Sequence, residues 1–394
     1  MLLAFSGGGT RAAAFAYGVL EELRDTEVLV AGERKQLIDE IDTISGVSGG
    51  SFPAAYYGLF GDRIFEEFEA RFLRRNVQLA ILLQALRPFN LLRLTTASLS
   101  RSDLAAQYYN EKVFDGATFA DLARTKGPRV YINTTDLSGG YRFTFSQEQF
   151  DTICSDLDEF SIARAVAASS AVPGLLSPVT LKNYAGSCGQ VVPDELHEAL
   201  ETRVSDPRRY RVAEQILSYL DSTKKPYIHL VDGGISDNLG LRASLELLSL
   251  AGGAEALVQR YYRSVPEHLL VIIVNAERDA DPGIDQSYAS PSLTSLMSSV
   301  SGAQIRRYNF ETILLMRHAA RDAAAALSRP GHPVSSNVVE VDFTLFEEED
   351  ERNYFRLLPT SFSLADEQID RLRGAGRQLL RDSPEFQDFL RRLH

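Results

Sequence analysis

The chain has 394 residues, 44% apolar and 24% charged, which is material for a core and excludes a disordered polyelectrolyte. Its formal charge is −12, and no basic cluster of the kind that follows a phosphate backbone interrupts it, so nucleic acid is excluded as a partner. No apolar run approaches the roughly 18 residues needed to cross a bilayer, and a single α/β domain with insertions is expected.

Residues 2–6 read as a strand, broken by Gly7, Gly8 and Gly9. No signal peptide precedes it; as written the chain reads as cytoplasmic, and as periplasmic or exported if a leader has been removed. Thr10 can cap a helix over 10–23, where Ala12, Ala16, Val19, Leu20 and Leu23 recur at three- and four-residue spacing and predict one buried face. A second strand, over 41–45, ends at Ser48 in the segment GVSGG and gives way to a helix containing Ala54, Ala55 and Tyr56.

Segment 71–100 is helical in composition and reads as an insertion. Leu79, Leu82, Leu83 and Leu86 fall on one side, Pro88 interrupts, and Leu91, Leu92 and Leu94 follow. Arg71, Arg74, Arg75, Arg87 and Arg93 stand out in an acidic chain. The segment is either a lid or peripheral membrane-contacting surface, or a set of helices packed on the sheet with arginines in solvent.

Further strands are expected at 129–135, 227–231 and 268–276, nearly continuous in apolar residues as parallel strands covered on both faces are. Cys154 and Cys188 flank a polar, turn-rich stretch; a bond between them would contribute about 3 to 4 kcal/mol, and two free thiols are the alternative. Residues 184–225 look like a long surface insertion. The part over 290–394 is mainly helical, with a helix over 293–327, an edge strand over 338–343 and a last amphipathic helix from 365. The alternation predicts a three-layer α/β/α sandwich on a mostly parallel sheet.

GxSxG is short enough to arise by chance, but here a strand precedes it and a helix follows, the setting in which a serine nucleophile is held on a sharp turn. Gly46 and Gly50 leave room for that turn and for a substrate. Asp232 follows the apolar strand at 227–231 and opens Asp232-Gly233-Gly234, which puts a carboxylate at a strand's C-terminal end, where open α/β sheets place their sites. Without side chains, Gly7, Gly8 and Gly9 expose backbone N–H groups at the start of the first helix and could hold an oxyanion. The six histidines show no motif that singles one out as a base. No CxxC, Cys/His cluster, EF-hand loop or phosphate-binding glycine motif calls for a metal or another cofactor.

GGGTR at 7–11, GVSGG at 46–50 and DGG at 232–234 together resemble the patatin-like phospholipase family. The small-residue segment AASSAVP at 167–173 agrees, and DGGISDNLGL at 232–241 is similar to bacterial members in particular. The resemblance runs from residue 2 to about 245. It implies a patatin-like fold and a serine lipid acyl hydrolase acting on a lipid or small acyl ester. Ser48 would be the nucleophile, Asp232 the base of a Ser-Asp dyad, and the backbone of Gly7, Gly8 and Gly9 the oxyanion hole. Arg11 would match the basic residue after that loop, with Gly46, Gly50, Gly233 and Gly234 in support; the next position, often glycine in the family, is Ala12.

Three other readings remain beside it. An α/β-hydrolase triad would place its serine after more strands than the two that precede Ser48. An acyltransferase would share the acyl-enzyme, although its elbow commonly carries histidine where Val47 stands. A catalytically silent lipid-binding protein would be expected to have lost one of the three motifs.

Overall fold

The computed structural model describes residues 1–30, 32–87, 99–189, 192, 194–261, 264–279 and 283–393. In chain order its strands are β1 (Leu2–Phe5), β2 (Glu27–Val30), β3 (Glu33–Gln36), β4 (Thr43–Val47), β5 (Arg129–Asp136), β6 (Tyr141–Phe145), β7 (Val179–Lys182), β8 (Tyr227–Asp232), β9 (His268–Asn275) and β10 (Ser335–Asp342). β2 and β3 form a separate hairpin, and the others make one sheet in the order β10-β9-β1-β4-β5-β8-β7 with β6 also on β5. From β10 through β5 every ladder is parallel, whereas β6, β7 and β8 join in antiparallel pairings.

Period-two alternation along the central strands separates the layers. Leu3 and Phe5 of β1, with Ile272 and Val274 of β9, belong to one apolar cluster; Ala4, Val271 and Ile273 belong to the other. The principal helices are α1 (Thr10–Asp25), α2 (Ser51–Phe60), α3 (Val77–Ala85), α4 (Arg101–Lys112), α5 (Ile162–Ser169), α6 (Leu293–Leu327) and α7 (Asp366–Asp382). α1, α2, α5 and α7 contribute to the first cluster, while Ile313, Met316 and Ala320 of α6 close the second. The result is the expected α/β/α sandwich.

Several expectations need correction. β8 was expected among parallel strands but runs antiparallel; Tyr227 and His229 are exposed on it while Ile228 and Leu230 are buried, the alternation of a strand with one solvated face. α1 was expected to bury one face, yet every residue from Thr10 to Leu23 is buried, because α7 lies across it. The two helices approach at glycines: a β-carbon on Gly18 would sit 2.1 Å from the Arg373 carbonyl oxygen, and one on Gly376 would sit 2.4 Å from that of Phe15. Arg373 pairs with Glu21 and Arg381 with Glu22 along the same seam. Thr10 is not a cap; Gly9 holds that position, and the Thr10 N–H donates to the Ser361 carbonyl. The amphipathic stretch from 365 is two helices, Asp366–Asp382 and Pro384–Arg392, since Pro384 can begin a helix but not continue one.

Residues 184–225 include the helices Asp194–Glu201 and Pro207–Tyr219, whose Leu196, Ala199 and Ala213 form a small satellite cluster. Cys154 and Cys188 are joined by a disulfide with Cα atoms 5.6 Å apart. Pro88, Leu91, Leu92, Arg93, Leu94 and His394 lie outside the described residues. No helix among the described residues is long and apolar enough to cross a membrane.

Candidate active site

The register of β5 brings two chain ends face to face. Val47, the last residue of β4, pairs with Asn133, and Asp232, the last residue of β8, pairs with the next residue, Thr134. β6 covers residues 132–136 of β5, overlapping both partners, so β4 and β8 share the opposite edge and run toward each other. Ser48 and Asp232 therefore meet where the strands stop.

Ser48 follows β4 with φ 49°, a left-handed conformation that L-residues adopt at a cost of roughly 1 kcal/mol or more. Packing holds the turn in that shape. A β-carbon on Gly49 would lie 2.0 Å from the Gly9 carbonyl oxygen, so only glycine lets the nucleophile turn sit against the first glycine turn. Gly46 and Gly50 are packed on backbone in the same way, Gly46 against Ser51 and Gly50 against Phe5 and Ser6.

Asp232 is 8% exposed. Its Oδ1 accepts the Gly234 N–H at 2.8 Å. Its Oδ2 is buried without a hydrogen bond of ordinary geometry, although the Ser48 hydroxyl is near enough to favour the ionised carboxylate. Burial dominates and pushes the carboxyl up to about 6, against the opposing pull of Ser48 and the Gly234 amide. Gly233 completes the turn, where a β-carbon would meet the Asn133 carbonyl oxygen at 2.4 Å.

The three amides of the glycine turn are not equivalent. The Gly7 N–H is engaged with the Asn238 carbonyl at 3.0 Å. Those of Gly8 and Gly9 have no partner among the described residues. Gly8 and Gly9 take φ of 142° and 63°, and Gly9 is the N-cap of α1, so the helix adds positive potential beside them. Arg11 is fully buried under this turn, where it donates to the carbonyls of Ala276 (3.0 Å) and Leu358 (2.5 Å). Burial, helped by Arg278, pulls its pKa down to about 9, so it stays charged at neutral pH. It is a clamp between the glycine turn and the C-terminal segment.

Sequence reasoning did not single out Ser169, the end of α5. Its hydroxyl accepts the Ser48 N–H at 2.8 Å and donates to the Asn133 carbonyl at 2.6 Å, leaving the Ser51 hydroxyl, 2.8 Å away, as a second donor to it. The carbonyls of Ser169 and Ala171 take the N–H groups of Gly233 and Asp232. One short segment thus holds both Ser48 and Asp232. Its trace in the sequence was the run AASSAVP, which showed small residues but not which would bond. Asp237 was missed as well; its carboxylate accepts from the amides of Leu241 and Arg242 and braces the loop after Asp232. No histidine among the described residues bonds to Ser48 or Asp232.

Comparison with known proteins adds a family description. A family model described as patatin-like phospholipase matches residues 3–245. No curated protein matches the chain. Among solved structures, human GIVD cytosolic phospholipase A2 is similar with a TM-score of 0.51 at 12% identity, covering 100% of this chain and 62% of that one. Its complex with methyl gamma-linolenyl fluorophosphonate gives 0.46 at 14% identity, covering 100% of this chain and 58% of that one. At such identities the likeness concerns the fold alone. This chain spans less than two thirds of the length of those proteins.

Proposed function

Given that the chain belongs to the patatin-like phospholipase family, we propose that it is a serine lipid acyl hydrolase working through a Ser48–Asp232 dyad. The observation that carries this reading is the meeting of a strained serine and a buried carboxyl at the ends of β4 and β8, beside two backbone amides that have no partner among the described residues.

The Asp232 carboxylate takes the Ser48 proton as Oγ attacks the ester carbonyl carbon. Negative charge moves to the carbonyl oxygen, and the N–H groups of Gly8 and Gly9 receive it. Collapse breaks the ester C–O bond, and the proton on Asp232 passes to the leaving alcohol. Water then attacks the acyl-enzyme, gives its proton to the carboxylate, and the acid departs as Ser48 regains a proton. An aspartate at its ordinary pKa is a weak base for this work. Raised to about 6, Asp232 is a better base and is still mostly ionised at neutral pH. The dyad requires no cofactor and no metal.

Within this reading the Gly7 N–H serves the scaffold rather than the oxyanion, which falls to Gly8 and Gly9. Hydrolysis of a chain-length series of p-nitrophenyl esters and of defined phospholipids tests the proposal, with Ser48→Ala as control. Turnover in the native chain and its loss in the variant are expected. Equal turnover in both would reject Ser48.

A further inference from the structure

α3 presents an apolar stripe to solvent. Leu79, Leu82, Leu83 and Leu86 recur at helical spacing and are 47%, 53%, 56% and 58% exposed, while Val77 is buried and Ala80 and Ile81 pack on the core from the other side. A contiguous exposed patch of this kind marks a contact surface.

The arginines around it divide into two sets. Arg71 is paired with Glu67 and Asp115, and Arg74 with Glu69 and Asp370. Arg75 and Arg87, at the two ends of the stripe, form no ion pair among the described residues. In a chain of net charge −12, this leaves a leucine face bracketed by uncompensated positive charge. That combination fits an anionic lipid surface, with the helix lying in the interface plane and its leucines in the acyl boundary. The leucines expose on the order of 400 Å², so pairing two copies through them would bury less than the roughly 1,200 Å² of a stable interface.

The stripe is also tied to the candidate site. The Val77 N–H donates to the Phe362 carbonyl, and the Phe362 ring lies 6.0 Å from that of Phe52, in the first turn of α2 after Ser48. We propose that the Leu79-Leu82-Leu83-Leu86 face, flanked by Arg75 and Arg87, docks the protein on anionic bilayers and makes hydrolysis of bilayer lipid depend on that docking. The second clause rests on the acyl hydrolase reading; the first does not.

Sedimentation of the inert Ser48→Ala protein with vesicles measures docking apart from chemistry. Vesicles of phosphatidylglycerol and phosphatidylcholine in equal parts, and of phosphatidylcholine alone, provide the two surfaces. The protein should sediment with the anionic vesicles, and Leu82→Glu with Leu83→Glu should weaken this at least about tenfold. Arg75→Glu with Arg87→Glu should remove the preference for the anionic surface. In the active protein, the double leucine variant should hydrolyse p-nitrophenyl butyrate at the native rate, which also reports its folding, and lose hydrolysis of vesicle phospholipid. Sedimentation of the leucine variant equal to that of the parent overturns the proposal. So does failure of the parent to sediment, or a doubled mass in light scattering that the same leucine changes abolish.

Discussion

At neutral pH the Asp232 carboxylate is a buried charge, and a pKa pushed up to about 6 reflects the net cost to the fold of that burial after Ser48 and the Gly234 amide have offset part of it. The rise from the ordinary value corresponds to about 3 kcal/mol of lost stability. The folded state holds the proton more tightly than the unfolded chain, so the penalty is fully present above a pH of about 6 and gone below about 4. Asp232→Asn should therefore abolish turnover and raise the melting temperature, with the gain falling to about half between pH 8 and pH 5. Melting curves of both proteins at the two pH values check this; a variant less stable than the parent would contradict it. The same carboxyl sets the rate profile: kcat/KM should fall as pH drops through about 6, since protonated Asp232 cannot act as a base. Ser169 acts one step away from the chemistry. Ser169→Ala leaves the buried Ser48 N–H without its partner, and kcat should drop about ten- to a hundredfold with KM changed less than about twofold. A change in KM alone would show that Ser169 shapes the substrate pocket instead.

Turns rather than strands carry the site, and that governs how much of it could be read from the sequence. GVSGG and DGG could be picked out because each stands at the end of an apolar strand, a setting that lifts a short motif above chance; the reason for each glycine was not legible, because it lies in another part of the chain. Gly49 is required by Gly9, Gly233 by Asn133, and Gly18 by Arg373. Gly49→Ala should destroy the site, whereas Gly374→Ala, with nothing within 4 Å of its β-carbon position, should stabilise α7 by about 0.5 to 1 kcal/mol. Fluorophosphonate labelling of the first and chemical denaturation of the second measure these effects. The apolar runs of β1 and β9 announced themselves, because strands buried on both faces are nearly continuous in apolar residues. β2, β3, β6 and β7 are only four or five residues long, and β3 is wholly polar, so periodicity had too little to act on. That the Gly7 N–H is engaged was not legible for a similar reason: its partner, Asn238, is distant in sequence.

Over the whole molecule, the part without a recognisable motif completes the fold. β9 pairs directly with β1, β10 extends the sheet, α7 covers α1, and residues 358–361 hold Arg11 and Thr10 under the glycine turn. The segment matched by the family model is therefore expected not to fold by itself. A chain ending after Leu245 should be insoluble or open to proteolysis, and soluble, labelled protein from it would refute that view. The central claim is that Ser48 is a nucleophile activated by Asp232, and covalent trapping tests it most directly. Folded protein treated with a fluorophosphonate and analysed by peptide mass spectrometry should carry one adduct, on Ser48, formed much more slowly in Asp232→Asn and absent in Ser48→Ala. An adduct on another serine, or labelling at an unchanged rate in Asp232→Asn, would contradict the account.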